Sequence, residues 1–351
     1  MMLVATMAGC AWGASGCGLV RHGDSGPRSA NAFLAAYVQP DGRVARPDQG
    51  NDTVSEGQAY GLLLAEAAGQ PAVFGHIWQW TSDHLQLPGG LFGYHADAAG
   101  HLLSAQPASD ADLLIAWALL RYHGPDAAER HQAGQRVAAA VLRQEVTTGP
   151  GGTPVLAAGP WATGRPASLD PSYWALPALT GLARLTGNQQ WQQLADGAVA
   201  LTTRLTARGR DLPPDWAELT AGGALAPAPA PDGSQPETQY GLDAQRTVVW
   251  FAVSCDPRAR ALAGRWWGLL RPPGRAEAQA LLPSGVILNQ SAAPLPLVAA
   301  GAAAHAAGQQ SASRRLLQRA GAQQQHHPTY YGGAWAALGP ALLSGALASA
   351  C

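Results

Sequence analysis

Residues 56–68 read EGQAYGLLLAEAA: an acid at the front, then a run that is apolar nearly all round once wound into a helix. A helix without a polar stripe has no face to offer water and must be buried. The same composition recurs from Asp110 (DADLLIAWALLRY), Pro171 (PSYWALPALTGLARL), Leu242 (LDAQRTVVWFAVS), Ser291 (SAAPLPLVAAGAAAH) and Tyr330 (YYGGAWAALGPALL). Between these runs lie stretches with charged faces, near residues 28–38, 71–85, 126–145, 188–206, 257–271 and 311–323. Six buried helices in strict alternation with six amphipathic ones specify an inner ring inside an outer ring, an all-α (α/α)6 barrel. The inner starts at 56, 110, 171 and 242 are about 50–70 residues apart, room for two helices and their loops per unit. No stretch shows convincing strand alternation. The Gly/Pro-rich segment 146–170 and the Pro/Ala/Gly-rich segment 222–236 read as surface loops of one barrel, because the alternation continues on both sides of them.

The 351 residues, 47% hydrophobic, suffice for a sizeable core. A net charge of −1 with 13% charged residues leaves no basic face for nucleic acid. All 22 basic residues are arginine. Twelve Trp and 8 Tyr stand against 4 Phe. Flat rings with a polar edge suit sugar faces, although most of the Trp are expected in the core. Residues 1–20 are small and apolar without a basic start, and read as an export signal or its remnant ahead of a single barrel domain, 21–351. Met7-Ala8-Gly9-Cys10 carries a weak lipid-anchor signal at Cys10. No later stretch has the 18 apolar residues of a transmembrane helix. Of the four cysteines, Cys10, Cys17, Cys255 and Cys351, no pair has metal-ligand spacing. Cys17 and Cys351 either pair in an exported protein or stand as two terminal thiols. His22, His76, His84, His95 and His101 are scattered, so no metal and no other cofactor is expected.

Inner helices of such a barrel run the same way, and their N-termini share one rim. Ser55-Glu56, Ser109-Asp110 with Asp112, Pro171-Ser172-Tyr173, Asp243 with Arg246, and Tyr330-Tyr331 therefore converge. Ser55 and Ser109 read as N-caps, with an acid one residue on to suit the helix dipole. Capping does not explain why acids recur on helices that are otherwise wholly apolar, since a buried carboxylate needs a partner or a purpose. Several carboxylates, hydroxyl-bearing rings and an arginine at one mouth are the equipment of glycoside hydrolysis. Gly57 and Gly61 leave the backbone open to close approach, by a ligand or by a neighbouring element. Asp243 and Arg246, three apart, share a helix face; they form either a plain ion pair or one in which Arg246 keeps a general base ionised.

Six ordered stretches carry a resemblance: SEGQAYGLLLA (55–65), ASDADLLIAWALL (108–120), DPSYWALPAL (170–179), PDWAEL (214–219), YGLDAQR (240–246) and TYYGGAWAALG (329–339). Together they resemble glycoside hydrolase family 8, over roughly residues 30–340. The DGRV segment (41–44), the compact length and the cysteines near the ends resemble its periplasmic endoglucanases associated with bacterial cellulose synthase. The resemblance implies endo-acting, inverting cleavage of β-1,4-glucan (cellulose). Glu56 would be the proton donor and Asp243 the base that activates water. Asp110 would bind and distort the sugar, Tyr173 and Arg246 would line the same subsite, and Tyr330 and Tyr331 would flank the cleft. An aspartate at position 243 resembles the cellulase and xylanase branch. A family-8 xylanase, lichenase or chitosanase, or a catalytically silent glucan-binding protein, are the other readings.

Two departures stand out. LFGYHAD (91–97) falls where relatives often carry a Trp-rich stretch; Tyr94 replaces one stacking ring and Ala96 the other, which implies a weaker sugar subsite. Gly339-Pro340 replaces the usual continuation after the Tyr-Tyr motif. The implied partners are a β-glucan polysaccharide or oligosaccharide and the cellulose synthase assembly, for a periplasmic or secreted monomer. Inversion demands a carboxyl separation of roughly 6.5–9.5 Å, to admit water. It also demands a protonated Glu56, with burial and Asp110 outweighing the helix dipole, and a bell-shaped pH profile.

Overall fold

The computed structural model describes residues 25–347. The expected export segment 1–20, and with it Cys10 and Cys17, as well as Cys351, lie outside the described residues. Cys255 is disulfide-bonded.

All twelve expected helices are present. The inner ring is α2 (Ser55–Ala67), α4 (Ser109–Arg121), α6 (Leu176–Thr186), α8 (Leu242–Ala252), α10 (Pro294–Ala306) and α12 (Tyr330–Leu343). The outer ring is α1 (Ser25–Tyr37), α3 (Pro71–His84), α5 (Ala127–Gln144), α7 (Gln190–Leu205), α9 (Pro257–Leu270) and α11 (Gln310–His326). Each inner helix packs on the next, and α12 returns to α2 to close the ring. The contrast in composition decides the layer. In α10 every residue from Pro294 to Ala304 is buried, whereas α11 buries only Ser313, Leu316 and Ala320.

Two inner helices start later than expected, and proline is the reason. A proline lacks the N–H that would bond back four residues, so the first turn is where it fits at no cost. Pro177 therefore holds the start of α6 at Leu176, behind a separate 3-10 turn at Pro171–Tyr173. Pro294 and Pro296 likewise set the start of α10.

The described residues also contain ten short strands that the sequence reading did not anticipate. β1 (Thr53–Val54), β2 (His95–Ala96) and β3 (Leu102–Ser104) form one antiparallel sheet. β4 (Val146–Thr148) pairs with β5 (Pro154–Leu156); β6 (Ala167–Leu169), β7 (Trp216–Leu219) and β8 (Leu225–Ala228) form a third sheet; β9 (Ala278–Leu281) pairs with β10 (Ile287–Gln290). The segments read as plain loops, 146–170 and 222–236, thus carry β4, β5, β6 and β8. Every strand lies in a connection that runs from an outer helix into the next inner helix. The return connections at 68–70, 122–126, 187–189, 253–256 and 307–309 carry none. One end of the barrel is therefore bare, and the end that holds the inner N-termini is built up by four sheets.

Eight of the eleven Trp among the described residues are core residues: Trp78, Trp80, Trp117, Trp174, Trp191, Trp250, Trp266 and Trp335. Trp335 stands edge-on to Tyr60 and to Trp250, each at 5.5 Å between ring centres. That aromatic chain ties α2, α12 and α8 together beneath the built-up rim.

Candidate active site

Glu56 lies in the first turn of α2, and Val54, an extended residue, precedes the helix. The expected serine caps are absent. The Ser55 amide donates to the Tyr94 carbonyl at 2.9 Å, and its hydroxyl is buried without a partner. The Ser109 hydroxyl donates to the Ala157 carbonyl at 2.6 Å and its amide to Ala158 at 3.1 Å. Both serines fall one residue inside their helices, where they stitch the rim connections to the inner ring. The glycines open the backbone to packing within the wall. A Cβ on Gly57 would stand 2.4 Å from the Tyr330 hydroxyl, and one on Gly61 would stand 2.8 Å from Val44 Cγ2.

Arg246, one turn along α8 from Asp243, is the hub. Its Nη1 donates to Glu56 Oε1 at 2.5 Å and to Asp110 Oδ2 at 3.0 Å. Its Nη2 donates to Asp243 Oδ1 at 2.8 Å and lies 3.7 Å from Asp170 Oδ2. Tyr60, one turn along α2, donates its hydroxyl to Glu56 Oε1 at 2.6 Å. The guanidinium thus stands between Glu56 and Asp243 and holds each from a different arm. Side-chain exposure sorts the four acids: 32% for Asp243 and 15% for Glu56, against 7% for Asp110 and 0% for Asp170. Only the first pair offers substantial surface to a substrate.

Electrostatics follow from burial. Desolvation, opposed by Arg246 and reinforced by the Glu56 and Asp243 charges, pushes Asp110 up to about 7. Burial, then the Asp243 charge, drives Asp170 well above the carboxylate range. Burial disfavours the Arg246 cation, but the surrounding Tyr331, Tyr60, Asp243 and Glu56 more than restore it. Deeper in the wall, burial raises Asp112 and Glu145 strongly, and neighbouring charges add to the effect on Glu145. Asp112 Oδ1 accepts the Phe92 amide at 2.8 Å, anchoring the connection that carries Tyr94.

The aromatic residues divide. The Tyr173 ring lies 5.4 Å from the Arg246 guanidinium carbon and meets Trp216 edge-on at 6.3 Å. Tyr331 is half-buried and faces Arg246, Glu56, Asp243 and Asp110. Tyr94 is 39% exposed beside Glu56, and burial of its hydroxyl end pushes that group up to about 12. Its strand pair is fixed by Asp52, which accepts from Arg46 at 2.7 and 2.6 Å and meets His95 Nε2 at 2.7 Å. Tyr330 departs from the expectation of a cleft-lining ring. It is 1% exposed, packed 6.2 Å from Phe33 and 5.9 Å from Tyr37. The Asp48 carboxylate accepts its amide at 3.1 Å, so the ring is drawn into the wall behind Gly57.

Glu56, Asp110, Tyr173, Asp243, Arg246, Tyr94 and Tyr331 therefore converge at one rim. Sequence reasoning missed Asp170, Asp215, Trp216 and the exposed Trp161, whose indole N–H donates to Pro107 beside the start of α4 at 3.1 Å. Asp170 and Asp215 stand within DPSYWALPAL and PDWAEL, where an acid before a turn looks like an ordinary cap. Asp170 does cap, accepting the Ser172 amide at 2.8 Å.

The model of the family described as "Glycosyl hydrolases family 8" matches residues 20–335. An endoglucanase of Cellulomonas uda is 33% identical over 237 residues, which span 66% of this chain and 64% of that protein. A protein of Novacetimonas hansenii named "Probable endoglucanase" is 31% identical over 256 residues, 67% of this chain and 70% of its own. Among solved structures, the endo-β-1,4-glucanase CMCax of Acetobacter xylinum superposes with a TM-score of 0.73 at 27% identity, covering 93% of this chain and 98% of that one.

Proposed function

The chain belongs to glycoside hydrolase family 8, and from that premise we propose that it is an endo-acting β-1,4-glucanase that cleaves cellulose-type chains with inversion. The observation that carries the reading is the arrangement of Glu56 and Asp243 on opposite arms of Arg246, as the two most exposed acids of the site. Inversion requires two carboxylates far enough apart to admit a water, and Arg246 bonds these two from separate nitrogens.

In this mechanism Glu56 protonates the departing glycosidic oxygen, and Asp243 takes a proton from a water that attacks the opposite face of the sugar. Arg246 holds Asp243 through Nη2 and, with Tyr60, orients the Glu56 carboxyl. Asp110 and Tyr173 border the sugar at the point of cleavage. Tyr94, in place of a Trp-rich stretch, offers one ring beyond the cleavage point, while Ala96 is buried in β2 and offers none.

Similarity to the CMCax glucanase and to the Cellulomonas and Novacetimonas proteins supports β-1,4-glucan as substrate. The apolar segment 1–20 supports export, and the resemblance carried by the DGRV segment (41–44) supports a role beside cellulose synthesis. The disulfide at Cys255 suits an oxidising compartment.

Parallel assays on carboxymethylcellulose, xylan, lichenan and chitosan test the substrate; new reducing ends are expected fastest from carboxymethylcellulose. Glu56→Gln should lower turnover by about 10³-fold or more while oligosaccharide binding persists. Near-normal turnover by that variant would remove Glu56 from the role.

A further inference from the structure

The helix that carries Asp243 and Arg246 begins without a cap of its own. Gly241 occupies the N-cap position of α8 and has no side chain for the open amides of the first turn. Asp215, remote in sequence and 1% exposed, supplies the oxygen instead. Its Oδ1 accepts from the Gly241 amide at 2.9 Å and from the Ala244 amide at 2.8 Å, on either side of Asp243. Its Oδ2 accepts from Gln239 Nε2 at 3.1 Å. The glycine is a consequence of this grip, because a Cβ at 241 would stand 2.3 Å from Asp215 Oδ2.

Asp243 itself is held by little else. Its one side-chain bond among the described residues is to Arg246, and it is the most exposed acid at the hub. Its direction is therefore set by how the first turn of α8 is seated. We propose that Asp215 is the positioning residue for the general base, clamping the start of α8 so that Asp243 faces the attacking water.

This inference rests on the proposed role of Asp243 and extends it. The titratable groups that face Asp215 are Asp243 and Tyr240, and no arginine among the described residues forms an ion pair with it. Burial and the Asp243 charge push Asp215 up to about 7, so the two carboxyls sense each other.

The test uses the full chain with Asp215→Ala and Asp215→Asn. Asparagine keeps an acceptor for both amides and loses the charge. It should retain KM and most of kcat. Alanine loses the clamp, and kcat should fall by about 100-fold with KM changed by less than about threefold. Amide hydrogen exchange at Gly241 and Ala244 needs no turnover. It should quicken by tenfold or more in Asp215→Ala and stay near wild type in Asp215→Asn.

Unchanged exchange in the alanine variant overturns the clamp, as does an alanine variant with wild-type kcat. If Asp215→Ala does not fold, an asparagine variant whose Gly241 and Ala244 amides exchange tenfold faster while kcat stays at wild type overturns it, because the seat of α8 would then be lost without loss of Asp243 function. A wild-type protein inactive on β-1,4-glucan, with the exchange result as expected, would instead fail the proposed function and leave the clamp standing.

Discussion

At the scale of single residues, the site depends on Arg246 more than on any one acid. A guanidinium can bond Glu56, Asp110 and Asp243 from two arms at once, and a compact ammonium cannot reproduce that fork. Arg246→Lys should therefore lower kcat/KM by about 10³-fold, and the carboxylates left without a partner should cost about 3–5 kcal/mol of stability, read by chemical denaturation. A second test concerns Gly57. Gly57→Ala drives a Cβ into the buried Tyr330 hydroxyl, which has no partner to lose. That variant should lose turnover, and adding Tyr330→Phe should restore much of it, because the change removes the clashing atom. Glu56, Asp110, Asp243 and Arg246 were legible in the sequence because each sits where a wholly apolar helix has no structural use for a charge. Asp215 was not, because its partners are backbone amides far along the chain.

At the scale of elements, the helices were legible and the strands were not, for one physical reason. An all-apolar helix reports its own burial through composition, whereas strands as short as Thr53–Val54 or His95–Ala96 contain too few residues to show an alternation. They form because antiparallel neighbours meet at the rim, a fact of tertiary structure. The consequence for function is local. β1 and β2, held by Asp52 with Arg46 and His95, set Tyr94 beside Glu56 while turning Ala96 inward. Tyr94→Ala should raise KM on long cello-oligosaccharides several-fold with little change in kcat. Tyr94→Trp should lower KM, since a larger ring covers more of a sugar face. Steady-state kinetics on cellotetraose and longer oligomers would separate the two parameters.

For the whole molecule, the unusual quantity is buried acid. Burial raises Glu66, Asp110 and Asp215 to about 7, and Asp112, Glu145 and Asp170 also rise well above the carboxylate range. Each such group binds a proton more tightly folded than unfolded. For Glu66, Asp110 and Asp215 the stabilising share is complete below the unfolded carboxyl range near pH 4 and is lost as pH rises through about 7. Asp52 and Asp256 run the other way, lowered by arginine partners, and their share fades only in stronger acid. The folded chain should therefore melt at a higher temperature at pH 5 than at pH 8, a difference that scanning calorimetry reads directly. The barrel itself was legible because alternating burial in twelve helices has one closed solution; the pH dependence was not, since it arises only once folding buries the acids. The most direct measurement follows the anomeric protons by NMR while the enzyme cuts a cello-oligosaccharide. Inversion at Glu56 and Asp243 predicts that the α-anomer of the new reducing end appears first and then mutarotates, whereas a product born as the β-anomer would contradict it.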